Sequence, residues 1–157
     1  MIVATQKKED HERRLVARMA AMWQDLKQKK ELPWEDHISP EILESMWDSC
    51  FMVRIEDIEK ERGYSYSYLG ADIKHAYGYD LSEDIPGPLA CTIADRLHHE
   101  YTILVNSKKP LLNEGEFENH NGVLIKYRQG LFPFASEANP NHVVAILGGM
   151  RYKTILD

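Results

Sequence analysis

Residues 111–152 constrain the fold more than any other stretch, because they read as three consecutive antiparallel strands with two distinct faces. Asn121-Gly122 is a two-residue hairpin signal, since both residues tolerate the positive φ angles of a type I′ turn. Ahead of it, Glu114, Glu116 and Glu118 fall on one face, and Gly115 and Phe117 on the other. Behind it, Val123, Ile125, Tyr127, Gln129 and Leu131 share a face, while Lys126 and Arg128 point the opposite way. A loop rich in turn formers, residues 136–141, leads into a third strand, 142–152, which contains Gly148-Gly149. A meander of this kind has an apolar face that must be covered.

The upstream sequence supplies the cover. Residues 9–30 form an amphipathic helix in which Leu15, Met19, Met22 and Leu26 recur at four, three and four residues, with Val16 and Trp23 widening the stripe. Such a seam suits packing on its own domain or pairing with a second copy, and Leu15, Met19, Met22, Trp23 and Leu26 are the candidate dimerisation residues. Pro33 is expected to end this helix, and Ser39-Pro40 to open a short one. Residues 49–55 read as a strand, with Phe51, Val53 and Ile55 alternating against Cys50, Met52 and Arg54. A turn over 56–63 leads to a second strand, 64–69, which sets Tyr64, Tyr66 and Tyr68 on one face. Asp72 is placed to cap a short helix that Gly78 stops. After a loop punctuated by Pro86, Gly87 and Pro88, Thr92 is expected to cap a longer helix carrying Ile93, Leu97, Tyr101 and Leu104, with Pro110 at its exit.

Composition narrows the function classes. The 157 residues suit one domain, and 43% hydrophobic residues suffice for a core. A net charge of −6 argues against general affinity for nucleic acid, which needs clustered Lys and Arg. No apolar run approaches the roughly 20 residues of a membrane span, and residues 1–14 lack a signal-peptide core. Cys50 and Cys91 form no CxxC pair and read as buried, reduced thiols, which points to the cytoplasm.

The order of elements, helix then two strands, short helices, a longer helix and three strands, resembles a PAS domain. The likeness extends to Leu32-Pro33, Asp36, Ile38, Pro40 and Phe51-Met52-Val53, to Tyr66-Ser67-Tyr68-Leu69-Gly70, to Ala76-Tyr77-Gly78-Tyr79-Asp80-Leu81, and to Gly130-Leu131-Phe132-Pro133-Phe134. These segments resemble the stand-alone PAS-like proteins of alphaproteobacteria, with departures at Trp34 and at Ser67, where a basic residue is expected. The resemblance implies an α+β fold: a five-stranded antiparallel sheet in the order second, first, fifth, fourth, third, with helices covering one face around a small pocket. It divides the chain into an N-terminal helix, 1–31, for dimerisation or capping, and a PAS-like domain, 32–157. It implies a non-catalytic module that senses a small ligand or signals to a separate partner protein, as a homodimer.

The residues that could touch a ligand are polar groups on inward faces: Tyr66, Tyr68, Tyr77, Tyr101, Tyr127 and Gln129. An inward amide such as that of Gln129 costs free energy unless something satisfies it. The alternative is that these groups bond one another. Haem would need an imidazole ligand from His75, His98 or His99, but His98 and His99 cannot both face inward on a helix. The light-sensing flavin–thiol adduct needs an Asn-Cys-Arg-Phe-Leu-Gln stretch, and Leu89-Ala90-Cys91-Thr92-Ile93 is not one. Glu118 and His120 at the hairpin tip make a poor metal site, and no metal or nucleophile motif is present. The rival from another class is a small cone-like α+β hydrolase or isomerase, with Asp72 and His75, or Asp95 with His98 and His99, as the acid–base pair.

Overall fold

The alternation of apolar and polar residues builds one antiparallel sheet. A computed structural model describes residues 3–60, 63–83 and 88–155, apart from the side chains of 3–14, 40, 42 and 88–94. Its strands are β1 (Cys50–Ile55), β2 (Tyr64–Leu69), β3 (Leu111–Glu118), β4 (Leu124–Phe134) and β5 (Ala145–Ile155), in spatial order β2-β1-β5-β4-β3. Helix α1 (Val3–Lys27) lies on one face, and α3 (Ala71–Tyr77) and α4 (Pro88–Ser107) on the other. A short α2 (Pro40–Leu43) lies between α1 and β1. Helices therefore cover both faces of the sheet, where one was expected.

Two glycines in the central strand permit this double cover. Gly148 pairs with Phe51 and Leu131, and Gly149 pairs with Cys50 and Gly130, so neighbouring positions open onto opposite faces. A Cβ on Gly149 would lie 2.2 Å from the Met19 sulfur, and one on Gly148 would lie 2.1 Å from the Phe51 ring. Helix α1 settles onto the first gap, burying Leu15, Met19 and Trp23, and the Trp23 indole donates to the Pro133 carbonyl at 2.7 Å. Met22 and Leu26 stay partly exposed. Each large apolar side chain buried this way contributes about 1.5–3 kcal/mol. The chain then returns along the end of β4: Ala135 N–H donates to Pro33 O and Glu35 N–H to Ala135 O, both at 2.8 Å.

Several local expectations are corrected. α1 ends at Lys27, with Gln28 at φ 51°, before Pro33 is reached. α3 is capped by Gly70 and not by Asp72, whose carboxylate instead accepts from Ser49 Oγ at 3.0 Å. α4 starts at Pro88, so Thr92 lies within it. Pro86 and Gly87 lie outside the described residues, as do the side chains of Cys91 and Ile93, on which the expectations for them rest. The hairpin forms with the expected faces, yet only Gly122 takes a positive φ, of 78°. Asn119 explains the difference: its side-chain oxygen accepts from the N–H groups of Asn121 and Val123, which builds the turn locally. Its amide then donates to Ala76 O, and His120 N–H to Tyr77 O, so the hairpin tip caps the end of α3. In the pairing of β1 with β2 the register shifts between Met52 and Val53, which pair with Tyr68 and Tyr66. This bulge at Ser67 turns Tyr68 to the α1 face, away from Tyr64 and Tyr66.

The glycine gaps differ in what fills them, and stability measurements by urea unfolding should resolve this. Gly148→Ala meets a rigid ring and should cost about 1–3 kcal/mol. Gly149→Ala meets the flexible end of Met19; it should cost less, and less again in a Met19→Ala background. Equal costs, or strict additivity with Met19→Ala, would contradict the packing.

Candidate ligand site

Between α4 and the inner face of β3 and β4 lies a cluster of polar side chains. Helical spacing brings Arg96, Glu100, Tyr101 and Leu104 to the sheet side of α4, and strand alternation sends Asn113, Phe117, Tyr127 and Gln129 up to meet them. Glu100 is only 7% exposed. One of its carboxylate oxygens accepts from the Gln129 amide at 3.0 Å and the other from the Asn113 amide at 3.2 Å. Asn113 and Gln129 are directly paired across the two strands, so their amides reach one carboxylate side by side.

The carboxylate fixes how both amides point. Their nitrogens donate to Glu100, so Gln129 Oε1 and Asn113 Oδ1 face away from it, and neither accepts a hydrogen bond among the described residues. Gln129 is 1% exposed, so its oxygen has no access to bulk solvent. Buried acceptors without partners are uncommon in folded proteins, and each costs about 1–3 kcal/mol.

One helical turn before Glu100, the Arg96 guanidinium donates to Tyr77 Oη at 2.7 Å and to Tyr127 Oη at 3.4 Å. Its carbon lies 4.8 Å from the Phe117 ring centroid and 5.2 Å from that of Tyr127. Its Nε is buried without a hydrogen-bond partner. Towards β2, the Tyr66 and Tyr101 hydroxyls share a hydrogen bond at 2.9 Å, and Tyr64 meets the Tyr101 ring edge-on at 5.0 Å. Burial pushes the hydroxyls of Tyr66, Tyr77, Tyr101 and Tyr127 above the usual phenol range.

Five of the six residues singled out in the sequence, Tyr66, Tyr77, Tyr101, Tyr127 and Gln129, therefore line one inner face. Tyr68 does not: the bulge turns it outward, where its ring stacks on Trp47 at 3.8 Å and its hydroxyl donates to Trp47 O at 2.9 Å. Arg96, Glu100 and Asn113 were not anticipated. A signal existed for two of them: Glu100 falls inside the stripe of Leu97, Tyr101 and Leu104, and Asn113 shares the parity of Gly115 and Phe117.

His75, His98 and His99 make none of the hydrogen bonds to Glu100 or Arg96 described above. His98 donates to Ile58 O at 2.9 Å and stacks on Tyr64, while His75 and His99 are exposed. Asp95 is exposed as well. Among the described residues, no group of three His, Cys, Asp or Glu side chains could hold a metal ion, and no helix is long and apolar enough to cross a membrane. Cys50 is fully buried, and burial pushes its thiol up from 9.0 to about 12.

The raised groups give the fold a one-sided pH dependence. A thiol or phenol with a raised folded-state pKa stabilises the fold fully below its unfolded pKa and progressively loses that contribution as pH climbs toward the folded value. Stability should therefore fall from about pH 9 upward, by about 1.4 kcal/mol per pH unit for each such group. Native Cys50 should resist iodoacetamide at pH 8 and react once unfolded. Flat stability between pH 9 and 12, or alkylation of native Cys50, would contradict these assignments.

No family model and no curated protein matches the chain. Solved structures do. A light-oxygen-voltage domain studied with a flavin analogue is 10% identical, with 74% of this chain and 84% of that one covered at a TM-score of 0.50. VqmA bound to DPO is 9% identical, with 73% of this chain and 58% of that one covered, also at 0.50. The PAS domain of the fruit-fly ELK potassium channel is 17% identical, with 70% and 89% covered, at 0.43. The strand order β2-β1-β5-β4-β3, the helices packed over the inner face and the likeness to the two structures at 0.50 give the chain the PAS fold.

Proposed function

We propose that this chain is a non-catalytic sensory module. In this reading it binds a small polar or amphipathic ligand at the α4–β3–β4 cluster and passes the signal to a separate protein in the cytoplasm. The observation that carries the reading is the pair of acceptors, Gln129 Oε1 and Asn113 Oδ1, held inward by Glu100 with no partner among the described residues. A ligand offering two donors from one edge would satisfy both, with Tyr66, Tyr77, Tyr101 and Tyr127 supplying aromatic walls and hydroxyls. The like-folded VqmA is described bound to DPO, and the light-oxygen-voltage domain is described with a flavin analogue, which supports ligand binding on this fold.

The output in this reading runs through α1 or the sheet face, in a homodimer. Leu15, Met19 and Trp23 are occupied by the chain's own sheet, so Met22 and Leu26, partly exposed on the same helix, are the contacts left for a second copy.

Native mass spectrometry with an absorption spectrum on the same sample tests the proposal. The expected result is a dimer carrying an extra non-covalent mass that is absent from Gln129→Leu. That variant should also lose about 1–3 kcal/mol of stability, because a buried carboxylate loses a donor. A Gln129→Leu protein that is more stable and keeps the bound mass would end the proposal.

A further inference from the structure

A concavity lies on the opposite face of the sheet from the α4 cluster. It is a groove of about 370 Å³ lined by Glu35, Asp36, Ile38, Leu43, Met52 and Arg54, with Ser39 and Trp47 completing its wall. Met52 and Arg54 are the outward residues of β1, so the floor is the exposed side of the sheet beyond α1. Trp47 is 39% exposed, and its ring is held by stacking on Tyr68, the tyrosine that the bulge at Ser67 turns outward. An apolar side chain of peptide size fits this volume against Ile38, Leu43, Met52 and the Trp47 ring.

The charge around the groove is one-sided. Residues 35–53 contain Glu35, Asp36, Glu41, Glu44 and Asp48 and no Lys or Arg. Arg54 is spent on Glu35, donating from one nitrogen to both carboxylate oxygens at 2.9 and 3.0 Å. Asp36 lines the groove, and Glu41, Glu44 and Asp48 adjoin its lining residues in sequence; all four are exposed, and with Arg18 reaching Ser45 at 2.8 Å they leave a net negative field beside an apolar floor. We propose that this groove docks a basic peptide segment of a partner protein, its apolar side chain against Met52 and Trp47 and its Lys or Arg residues facing Asp36, Glu41, Glu44 and Asp48. Apolar burial supplies affinity, and the acidic wall supplies selection and association rate. The docking is independent of the α4 cluster.

The probe is a fluorescein-labelled twelve-residue peptide with a central Leu-Phe flanked by Lys and Arg. Its controls are a peptide of equal charge with Gly-Ser at the centre and an acidic peptide with the same Leu-Phe. Anisotropy should show the basic Leu-Phe peptide binding at least tenfold tighter than either control. The exposed double variant Glu41→Lys with Glu44→Lys should weaken it at least tenfold, and Gln129→Leu should leave it unchanged. Backbone amide shifts on titration should cluster over residues 35–54. Failure of the basic Leu-Phe peptide to bind overturns the proposal, as does equal binding of the Gly-Ser peptide or no effect of the double variant. Shifts centred on Glu114, Glu116 and Glu118 of β3 would place the basic peptide on another acidic face and also overturn it.

Discussion

A carboxylate buried between a helix and a sheet has to be met by donors, and much of this molecule follows from how Glu100 is met. Its two oxygens take one amide from β3 and one from β4, so α4 can sit at only one height over the strand pair, and that pair at only one register. The same demand turns both amide oxygens away from that carboxylate. Arg96, one turn earlier on α4, ties the two tyrosine hydroxyls of α3 and β4 to the same helix. Helix, hairpin and α3 are thereby coupled through polar contacts buried among aromatic rings, where each contact is strengthened by the absence of water. A change at this cluster has three elements to act on.

The sheet that carries the cluster is thin at its centre. Gly148 and Gly149 remove side chains from adjacent positions of β5, so Phe51 lies close on the inner face and Met19 on the outer one. α1 is in this way seated directly behind the strands that hold Gln129. A helix placed there is both the cover of the outer face and the element nearest to any shift in β4 and β5, which suits the role of relay.

Much of this was legible in the sequence, for identifiable reasons. Period-two alternation in β3, β4 and β1 is a strong signal, and it placed the glutamates of β3 outward and Ile125, Tyr127 and Gln129 inward. Two failures came from single residues that break a period. Ser67 inserts a bulge that reverses Tyr68, and Asn119 replaces the anticipated turn with one built on its own side chain. The polar half of the cluster stayed hidden for another reason. Arg96 and Glu100 stand four apart on a helix, the spacing of an ordinary surface ion pair. Only the strands facing them show that Glu100 points inward, to amides from residues 113 and 129. The stripe on α1 fitted two partners equally, and the choice of its own sheet rests on glycines more than a hundred residues away.

In the proposed reading, the Gln129 side-chain oxygen is an acceptor reserved for a ligand. The most direct measurement is the ¹³C and ¹⁵N shift of the Gln129 side-chain amide, compared between natively purified protein and protein stripped by unfolding in denaturant and refolded. A bound donor polarises the carbonyl, so the account predicts that the shift differs between the two samples while the Glu100 contact to the amide nitrogen persists. Identical shifts in both samples would mean that the cluster is complete without a ligand and serves the fold alone.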